Sequence, residues 1–372
     1  MIPDLIALLA VAIWLYLLGG RGFFWRLSEG AAPPLRQENL SIAVVIPARD
    51  EAANIGAAVA SLLAQNYPGP LHVIVVDDHS SDGTAQAAGV GDRLTVLAAD
   101  PLPASWTGKL WAVNCGLRQA LSLNPDYLLF TDADIVHAPD TIAGLVARAE
   151  AGGLDLVSLM VQLRCDSLAE RALVPAFLYF FLKLYPPAWI ADLESGTAGA
   201  AGGCILLRPS ALKRIGGIES IRAELIDDCA LAREVKRGGP IWMNVTSASH
   251  SIRPYPTFGE MGRMISRTAF TQLRHSTLLL MGTVAGLLLT YIAPPVLAIG
   301  GPGPIAHVAG ALGWLIMMAT YWPTLRFYGR SPLWALALPL VALFYAGATL
   351  QSAIDYWRGR GGQWKGRAQD QP

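Results

Sequence analysis

Charged residues are scarce in this chain of 372 residues. They make up 15% of it, lysine occurs five times, and the formal net charge is zero. Without a basic excess there is no broad positive field to attract a nucleic acid, so we expect no nucleic-acid partner. The content of 53% hydrophobic residues is too high for a wholly soluble enzyme, and the mean hydropathy of +0.40 is too low for a bundle lying entirely in a membrane. A mixed architecture follows.

Cysteine is scarce too. The four cysteines lie far apart along the chain, at Cys115, Cys165, Cys204 and Cys229. They form no CxxC pair, which argues against a zinc site and against a disulfide framework. We interpret them as small apolar side chains in a reducing compartment.

The first long apolar run covers residues 5–20, and no basic residue precedes it. A secretory signal begins with basic residues, whereas here Arg21, Arg26 and Arg36 follow the run. We therefore assign residues 1–20 to an uncleaved transmembrane anchor, with the following chain in the cytoplasm.

Three further apolar runs near the C-terminus are long enough to be transmembrane helices. We assign residues 276–357 to them and residues 358–372 to a basic tail; the runs are 277–299, 304–322 and 333–356. The positive-inside rule places the region between the first run and these three in the cytoplasm, as expected for a multi-pass protein of a bacterial inner membrane. Three crossings would leave the tail outside, so either one run does not fully cross or the tail departs from the rule.

Residues 170–191 contain an apolar, aromatic-rich stretch that Pro175 and Lys183 interrupt. The stretch of about ten residues is too short to cross a bilayer. Two interpretations remain, a buried core helix or an amphipathic helix lying in the membrane interface, and the aromatic residues favour the interface.

Between the apolar regions, short β-branched runs alternate with helical stretches. This alternation predicts an α/β domain over residues 38–275, with a mostly parallel, Rossmann-like sheet. The predicted strands are SIAVVIPA, LHVIVVDD, DYLLFTDAD and LDLVSLMV. Ligands of such sheets bind at the carboxyl ends of the strands, where this chain places acidic residues.

Two polar clusters follow the first two strands. In IPARDEAANI the candidate nucleotide-binding residues are Pro47, Ala48, Arg49 and Glu51, although a strand-to-helix turn alone would also explain them. In VIVVDDHSSDGT, Asp77 and Asp78 follow a buried strand. A carboxylate there can accept a nucleobase N–H, and the neighbouring residues also fit a capped turn.

A third cluster, FTDADIV, places Asp132 and Asp134 after an apolar strand. Two carboxylates at this spacing can share a divalent cation with a diphosphate, and Mg²⁺ or Mn²⁺ prefers such oxygen ligands. His250 is a candidate third ligand, although it also fits an ordinary loop histidine. His79 and His137 flank acidic motifs, and we expect structural roles for them.

The fourth cluster, ELIDDCALAREVKRGG, opens a helix with Asp227 and Asp228. Acidic residues are favourable at a helix N-terminus without any catalytic role. An ionised Asp228 could instead act as a general base toward a hydroxyl group.

The order of these clusters resembles family 2 glycosyltransferases of the GT-A fold, over roughly residues 40–275. The resemblance implies that Asp77 and Asp78 hold the base and ribose, that Asp132 and Asp134 hold metal and diphosphate, and that Asp228 beside Asp227 is the catalytic base. It also implies a place for Lys109 of WTGKLWAVNCG near the diphosphate, and an acceptor side formed by the glycine-rich GAAGGCILLRPSALKRIGG.

A narrower similarity is to ceramide glucosyltransferases and, through RPYPTFGE and RTAFTQLRHS, to hopanoid-biosynthesis-associated glycosyltransferases. Where the ceramide type carries an (R/Q)xxRW element, this chain reads RMISRT, so the tryptophan is absent while Arg263 and Arg267 remain. The two arginines are candidates to stabilise the leaving diphosphate.

We therefore expect an inverting, metal-dependent transfer of a sugar from a nucleotide-sugar, such as a UDP-sugar, to a membrane lipid. The lipid would be a hopanoid or another isoprenoid or sphingolipid-like alcohol. Three alternatives are a polyprenyl-phosphate sugar transferase, a processive polysaccharide synthase and a non-catalytic scaffold or transporter component. The missing tryptophan argues against the synthase, and the nearly uncharged runs argue against a transporter.

Overall fold

Two units divide the polypeptide in the computed structural model, which describes residues 1–36 and 39–362. The sheet unit comprises Ser28–Arg164 and Trp189–Pro254. The helical unit comprises Met1–Leu27, Cys165–Ala188 and Tyr255–Pro372, of which residues 363–372 lie outside the described residues, as do residues 37 and 38. Most of the expected basic tail is therefore not described, and residues 255–275 of the expected catalytic domain group with the helices.

Eight strands form one sheet within the described part of the chain. In chain order they are β1 (Ile42–Ala48), β2 (Leu71–Asp77), β3 (Leu94–Ala98), β4 (Tyr127–Phe130), β5 (Ile135–His137), β6 (Leu156–Gln162), β7 (Ile205–Leu207) and β8 (Ile241–Ser251). Across the sheet the order is β3-β2-β1-β4-β7-β6-β8-β5.

One half of the sheet is parallel and the other half is mixed. Strands β3, β2, β1 and β4 are parallel, and so is the pair of β6 with β8. Strand β7 is antiparallel to β4 and β6, and β5 is antiparallel to β8. The predicted α/β fold is confirmed, and the four predicted strands are β1, β2, β4 and β6. Strand β7 escapes prediction because it has three residues and no visible period.

The helices cover most of the remaining chain. They are α1 (Ile2–Gly19), α2 (Ile55–Leu63), α3 (Thr84–Ala87), α4 (Gly108–Ser122), α5 (Thr141–Gly152), α6 (Leu168–Leu184), α7 (Pro187–Ala191), α8 (Pro209–Arg214), α9 (Asp227–Lys236), α10 (Phe258–Gln272), α11 (Thr277–Leu287), α12 (Ala293–Gly300), α13 (Pro304–Phe327) and α14 (Leu338–Trp357).

Helix α4 lies unusually close to the sheet. A Cβ at Gly116 would be 2.6 Å from a methyl carbon of Val45 on β1 and 2.7 Å from one of Val76 on β2. Only glycine permits this approach without displacing the buried strands. The helix begins at Gly108, so the close packing fixes the position of Lys109 in its first turn.

Five helical stretches among the described residues are long and apolar enough to cross a membrane, judged by length and composition. They are Ile2–Gly19, Leu168–Ala191, Thr277–Gly300, Pro304–Phe327 and Pro332–Trp357. Four correspond to the runs expected from the sequence. The second corrects the expectation of a stretch too short to span, because Pro175 lies inside α6 without ending it and the stretch continues through α7 to 24 residues.

The sheet nevertheless keeps both ends of Leu168–Ala191 on one side of any bilayer. Strands β4 and β6 precede this stretch and β7 and β8 follow it, yet all four belong to one sheet. A single crossing would separate them, and hydrogen-bonded strands cannot pair across a bilayer. The stretch is therefore not a simple transmembrane span.

Aromatic side chains pack α6 into the helical unit. The hydroxyl groups of Tyr179 and Thr320 are 2.8 Å apart, and the ring of Phe180 meets that of Tyr345 edge-on at 4.8 Å between centroids. These contacts are those of the buried core helix that the sequence left as an alternative. An interfacial position of the segment stays a prediction.

Trp14 on α1 donates a hydrogen bond to the carbonyl group of Thr290, which has no backbone N–H donor within its own helical segment. The indole Nε1 donates to the carbonyl oxygen of Thr290 at 2.8 Å. In an α-helix the carbonyl group of Thr290 would accept from the N–H of residue 294, and in the π-helical turn Leu288–Ile292 from that of residue 295. Both positions are proline, which has no N–H. An unpaired carbonyl is costly in an apolar environment, so this bond ties α1 to the helix before α13.

Candidate active site

The ends of β1 and β2 bring the first two clusters together. Ala48 lies opposite Asp77 in the parallel register, and the N–H of Asp78 donates to the carbonyl oxygen of Ala48 at 2.8 Å. The Nη1 atom of Arg49 donates to the carbonyl oxygen of Asp78 at 2.7 Å and is 3.5 Å from its carboxylate. Within the described residues the buried Nε of Arg49 has no hydrogen-bond partner. A further acceptor therefore fits at this edge of the sheet.

Asp77 and Asp78 have different roles in their turn. The carboxylate of Asp77 accepts from the backbone N–H of Ser80 at 3.2 Å and from its hydroxyl group. Asp78 is 2% exposed. His79 is half exposed, with Nδ1 3.4 Å from the Asp78 carboxylate. Asp78 is thus the carboxylate of this pair that the structure buries beside Arg49.

Asp134 is held by two residues that the sequence did not reveal. Its Oδ2 accepts from the hydroxyl group of Ser251 and lies 3.6 Å from Nε of Arg253. Burial raises the pKa of the Asp134 carboxyl, Arg253 opposes this, and the charge of Asp132 raises the pKa further. Two carboxylates under such repulsion are a favourable donor set for a cation.

Arg253 also joins the first cluster to the third. Its Nη2 donates to Oε1 of Glu51, which is 5% exposed. The pairing of Ile135 on β5 with Ser251 on β8 brings the chain after β8 next to Asp134. The position of Arg253 in the site therefore follows from a long-range strand pairing, which a single sequence does not show.

Lys109 connects the third and fourth clusters. Its Nζ is 3.0 Å from Oδ1 of Asp132 and 3.3 Å from Oδ2 of Asp227. Burial by itself would lower the pKa of Lys109, but the charges of Asp132, Asp227 and Asp228 outweigh it and raise the pKa. The side chain thus remains a full cation between donor-side and acceptor-side carboxylates.

Asp228 is a buried carboxylate at the start of α9. Its Oδ2 accepts from the N–H of Gly202 at 2.9 Å and its Oδ1 from the N–H of Cys229 at 2.7 Å. Burial and the charge of Asp227 raise the pKa of Asp228 to about 6, while Lys109 and the two N–H groups oppose the shift. A carboxyl group tuned this close to neutrality is suited to general-base chemistry.

Gly202 lies in the middle of this cluster. A Cβ there would be 3.2 Å from Nζ of Lys109, 3.6 Å from Oδ2 of Asp228 and 3.7 Å from Oδ2 of Asp132. The absence of a side chain at Gly202 thus allows the backbone to approach the charged groups. The acceptor-side role expected for this glycine-rich segment stays a prediction. A cavity here is lined by a polar set, Lys109, Asp132, Gly202, Asp227 and Asp228, together with Pro47, Thr131 and an apolar set, Leu110, Val113, Phe130, Ile205, Ile218, Ile221 and Leu231.

The remaining predicted residues lie elsewhere. His250 is exposed on β8, opposite Val136 of β5, and the described residues contain no group of three or more histidine, cysteine, aspartate or glutamate side chains spaced to hold a metal. Its role as a ligand stays a prediction. Arg263 and Arg267 lie on α10 of the helical unit. Buried His137 contacts the hydroxyl groups of Thr131 and Ser249, which is a structural role.

Comparison with known proteins finds similarity over a large part of the sheet unit. Residues 43–216 match the family model described as glycosyl transferase family 2. A 4,4'-diaponeurosporenoate glycosyltransferase of Staphylococcus aureus is 30% identical over 147 residues, which are 39% of this chain and 38% of that protein. The chain thus matches less than two fifths of the length of this relative.

Among solved structures, the mannosyltransferase of Pyrobaculum calidifontis in complex with GDP-Man and Mn²⁺ matches with a TM-score of 0.56. The alignment is 19% identical and covers 95% of this chain and 99% of that one. At this identity the match concerns the fold. Taken together, residues 43–216 match the model of glycosyl transferase family 2, and the chain shares its fold with a solved glycosyltransferase structure.

Proposed function

We propose that this protein is a membrane-bound, inverting glycosyltransferase that transfers a sugar from a nucleotide-sugar to the hydroxyl group of a lipid. One observation carries the proposal: the buried carboxylate of Asp228 and the donor-side carboxylate of Asp132 face one cavity and share the ammonium group of Lys109. An acceptor activated at Asp228 would thus meet a donor whose diphosphate lies at Asp132 and Lys109.

The nucleotide occupies the edge formed by Arg49 and Asp78. The carboxylate of Asp78 accepts a nucleobase N–H, as in a uracil or guanine ring. Nε of Arg49, which is 4.0 Å from the Asp50 carboxylate but has no hydrogen-bond acceptor among the described residues, donates to the nucleotide. A UDP-sugar is our first choice of donor. The GDP-Man in the similar mannosyltransferase structure makes a GDP-sugar the second.

Asp132 and Asp134 fit a divalent cation. Mg²⁺ and Mn²⁺ are commonly held by one or two carboxylates, with phosphate oxygens and water completing the shell, so a preformed cluster of three protein ligands is not required. The repulsion between the two carboxylates supports this fit. When bound, the cation neutralises charge that develops on the leaving diphosphate.

The residues of this chain perform the remaining steps. Asp228 accepts the proton of the acceptor's hydroxyl group. At the same time the hydroxyl oxygen forms a bond to the anomeric carbon of the sugar, and the bond between that carbon and the diphosphate breaks. The N–H groups of Gly202 and Cys229 fix the orientation of the carboxylate. Lys109 presents positive charge to the departing diphosphate. The role expected for Arg263 and Arg267 stays a prediction. Attack from the face opposite the leaving group inverts the anomeric centre.

A lipid acceptor is supported by three observations. The cavity has an apolar wall that includes Ile218, Ile221 and Leu231. Five helical stretches of the described chain are long and apolar enough for a membrane. The Staphylococcus aureus relative is named as a glycosyltransferase of 4,4'-diaponeurosporenoate. We propose a hopanoid or another isoprenoid or sphingolipid-like alcohol, and a bacterial inner membrane with the sheet unit in the cytoplasm.

A donor-hydrolysis panel tests the proposal. The purified full chain in detergent is incubated with Mn²⁺ and with UDP-glucose, UDP-galactose, UDP-N-acetylglucosamine or GDP-mannose, and released nucleotide is measured. We expect one donor to be cleaved well above the others. Absence of cleavage, both alone and with a total bacterial lipid extract as acceptor, would exclude these nucleotide-sugars as donors.

A further inference from the structure

The ammonium group of Lys109 already neutralises a carboxylate that the proposed metal site needs. Its Nζ stands 3.0 Å from Oδ1 of Asp132, an ion-pair distance. A divalent cation held by Asp132 and Asp134 would share that carboxylate with Lys109. Two cations at one carboxylate repel each other, and the repulsion is strong because the group is half-buried.

Lys109 has an alternative partner that keeps it in the cluster. Oδ2 of Asp227 is 3.3 Å from Nζ, on the acceptor side, and Gly202 contributes no side chain that would close the space around the ammonium group. A diphosphate bound beside Asp132 would offer Lys109 a second anion. The lysine therefore has one set of partners before the diphosphate binds and a larger set afterwards.

We propose that Lys109 makes divalent-cation binding conditional on the diphosphate: it opposes the cation at Asp132 and Asp134 when the cation comes alone, and it favours the cation and diphosphate together. This inference rests on the proposed function, since it assumes that these aspartates hold a metal. Its consequence is a positive coupling between metal and nucleotide, which must be reciprocal. The enzyme would then bind the metal ion together with the donor rather than before it.

The competing interpretation is that the ammonium group of Lys109 is a fixed, purely structural cation. In that case Lys109 only holds Asp132, Asp227 and Asp228 together, and its loss would let the carboxylates separate. Metal binding would then weaken in the absence of nucleotide. The two interpretations thus predict opposite signs for the same measurement.

The test is a titration of Mn²⁺ followed by electron paramagnetic resonance, with the full chain in detergent, alone and with saturating UDP or GDP. We compare the natural protein with Lys109→Met, with Lys109→Arg, which keeps the charge, and with Lys213→Met, a control for an exposed lysine of the sheet unit. We expect Lys109→Met to bind Mn²⁺ alone about tenfold more tightly, by removal of a nearby unit charge. The nucleotide should then increase its Mn²⁺ affinity by a smaller factor than in the natural protein.

Lys109→Arg and Lys213→Met should bind Mn²⁺ alone as the natural protein does. Weaker or unchanged Mn²⁺ binding by Lys109→Met, or an equal nucleotide effect in both proteins, would overturn the inference. The proposed function fails differently, through an absence of nucleotide-sugar cleavage by the natural protein. Thermal unfolding of each variant identifies one that is misfolded, and Lys109→Arg then carries the test: an affinity for Mn²⁺ alone that differs from the natural one would contradict the charge-based account.

Discussion

The backbone N–H of Gly202 donates to Oδ2 of Asp228 at 2.9 Å, and a Cβ at Gly202 would lie 3.2 Å from Nζ of Lys109, close enough to displace the ammonium group. This contact joins the glycine-rich segment before β7 to the start of α9. It orients a buried carboxylate whose charge Lys109 balances. The geometry of the proposed base thus depends on a residue without a functional group.

Gly202→Ala should lower kcat roughly 10- to 100-fold, because a Cβ 3.2 Å from Nζ of Lys109 displaces the charged groups from their reacting positions. Gly196→Ala is the matched control, since a Cβ at Gly196 meets no atom within 4 Å. Steady-state kinetics on both variants, with thermal unfolding as a check on folding, measures this effect. Equal activity of the two variants would show that space at Gly202 is not required.

Asp228→Asn should lower transfer by about 10²- to 10⁴-fold while nucleotide-sugar binding persists, because a general base acts only in the chemical step. Asp227→Asn should have a milder effect, since its carboxylate acts on Asp228 through charge. Transfer rates and donor affinities are measured for both. If both variants lost the same fraction of transfer activity, there would be no reason to assign the base to Asp228 rather than to Asp227. Full transfer by Asp228→Asn would favour a phosphate acceptor, as in a polyprenyl-phosphate sugar transferase.

The pH profile should report the same carboxyl group. Burial and Asp227 raise the pKa of Asp228 to about 6, so below that pH the group is protonated and cannot accept a proton. We expect kcat/KM to fall about tenfold per pH unit below about pH 6. In Asp227→Asn this fall should begin at a lower pH, because the repulsion that raises the pKa is removed. An unshifted acid limb in that variant would mean that another group controls it.

Arg253→Met removes both a contact that orients Asp134 and a positive charge 3.6 Å from its carboxylate. We expect the loss of orientation to outweigh the loss of repulsion, so that Mn²⁺ binding weakens about 10- to 100-fold, as is typical for residues that orient a metal ligand. The reason is the position of Arg253 between Glu51 and Asp134. Arg253→Lys should recover only part of the affinity, since lysine lacks the fork that reaches both carboxylates. Arg214→Met removes an arginine that pairs with Asp155 and serves as the control. A loss of stability without a loss of Mn²⁺ affinity would assign Arg253 a structural role only.

The sequence predicts the parts of this site that follow strands in the chain. Asp78, Asp132 and Asp134 follow β-branched or apolar runs, and the carboxyl ends of parallel strands meet at one edge. Arg253 could not be found in this way, because the antiparallel pairing of β5 with β8 brings it to Asp134 across a long separation in sequence. The ion pairs of Lys109 likewise depend on the packing of α4 against the sheet, which Gly116 permits.

The predictions about the membrane helices also separate into those that follow from local sequence and those that depend on the whole fold. Length and hydropathy predict four of the apolar helical stretches, because these are properties of local sequence. They do not reveal that Leu168–Ala191 forms a helix through Pro175, or that it returns to the sheet it left. That conclusion depends on strand order, which is a property of the whole fold.

The central claim is a metal-dependent transfer of sugar to a lipid at Asp134 and Asp228, and the most direct measurement follows the sugar itself. Membranes containing the full chain are incubated with the preferred radiolabelled nucleotide-sugar and Mn²⁺, and label is counted in the organic phase. We predict that label enters the lipid fraction, and that excess EDTA or the Asp134→Ala substitution abolishes this while the variant remains folded. Full lipid labelling in EDTA or by Asp134→Ala would contradict the account.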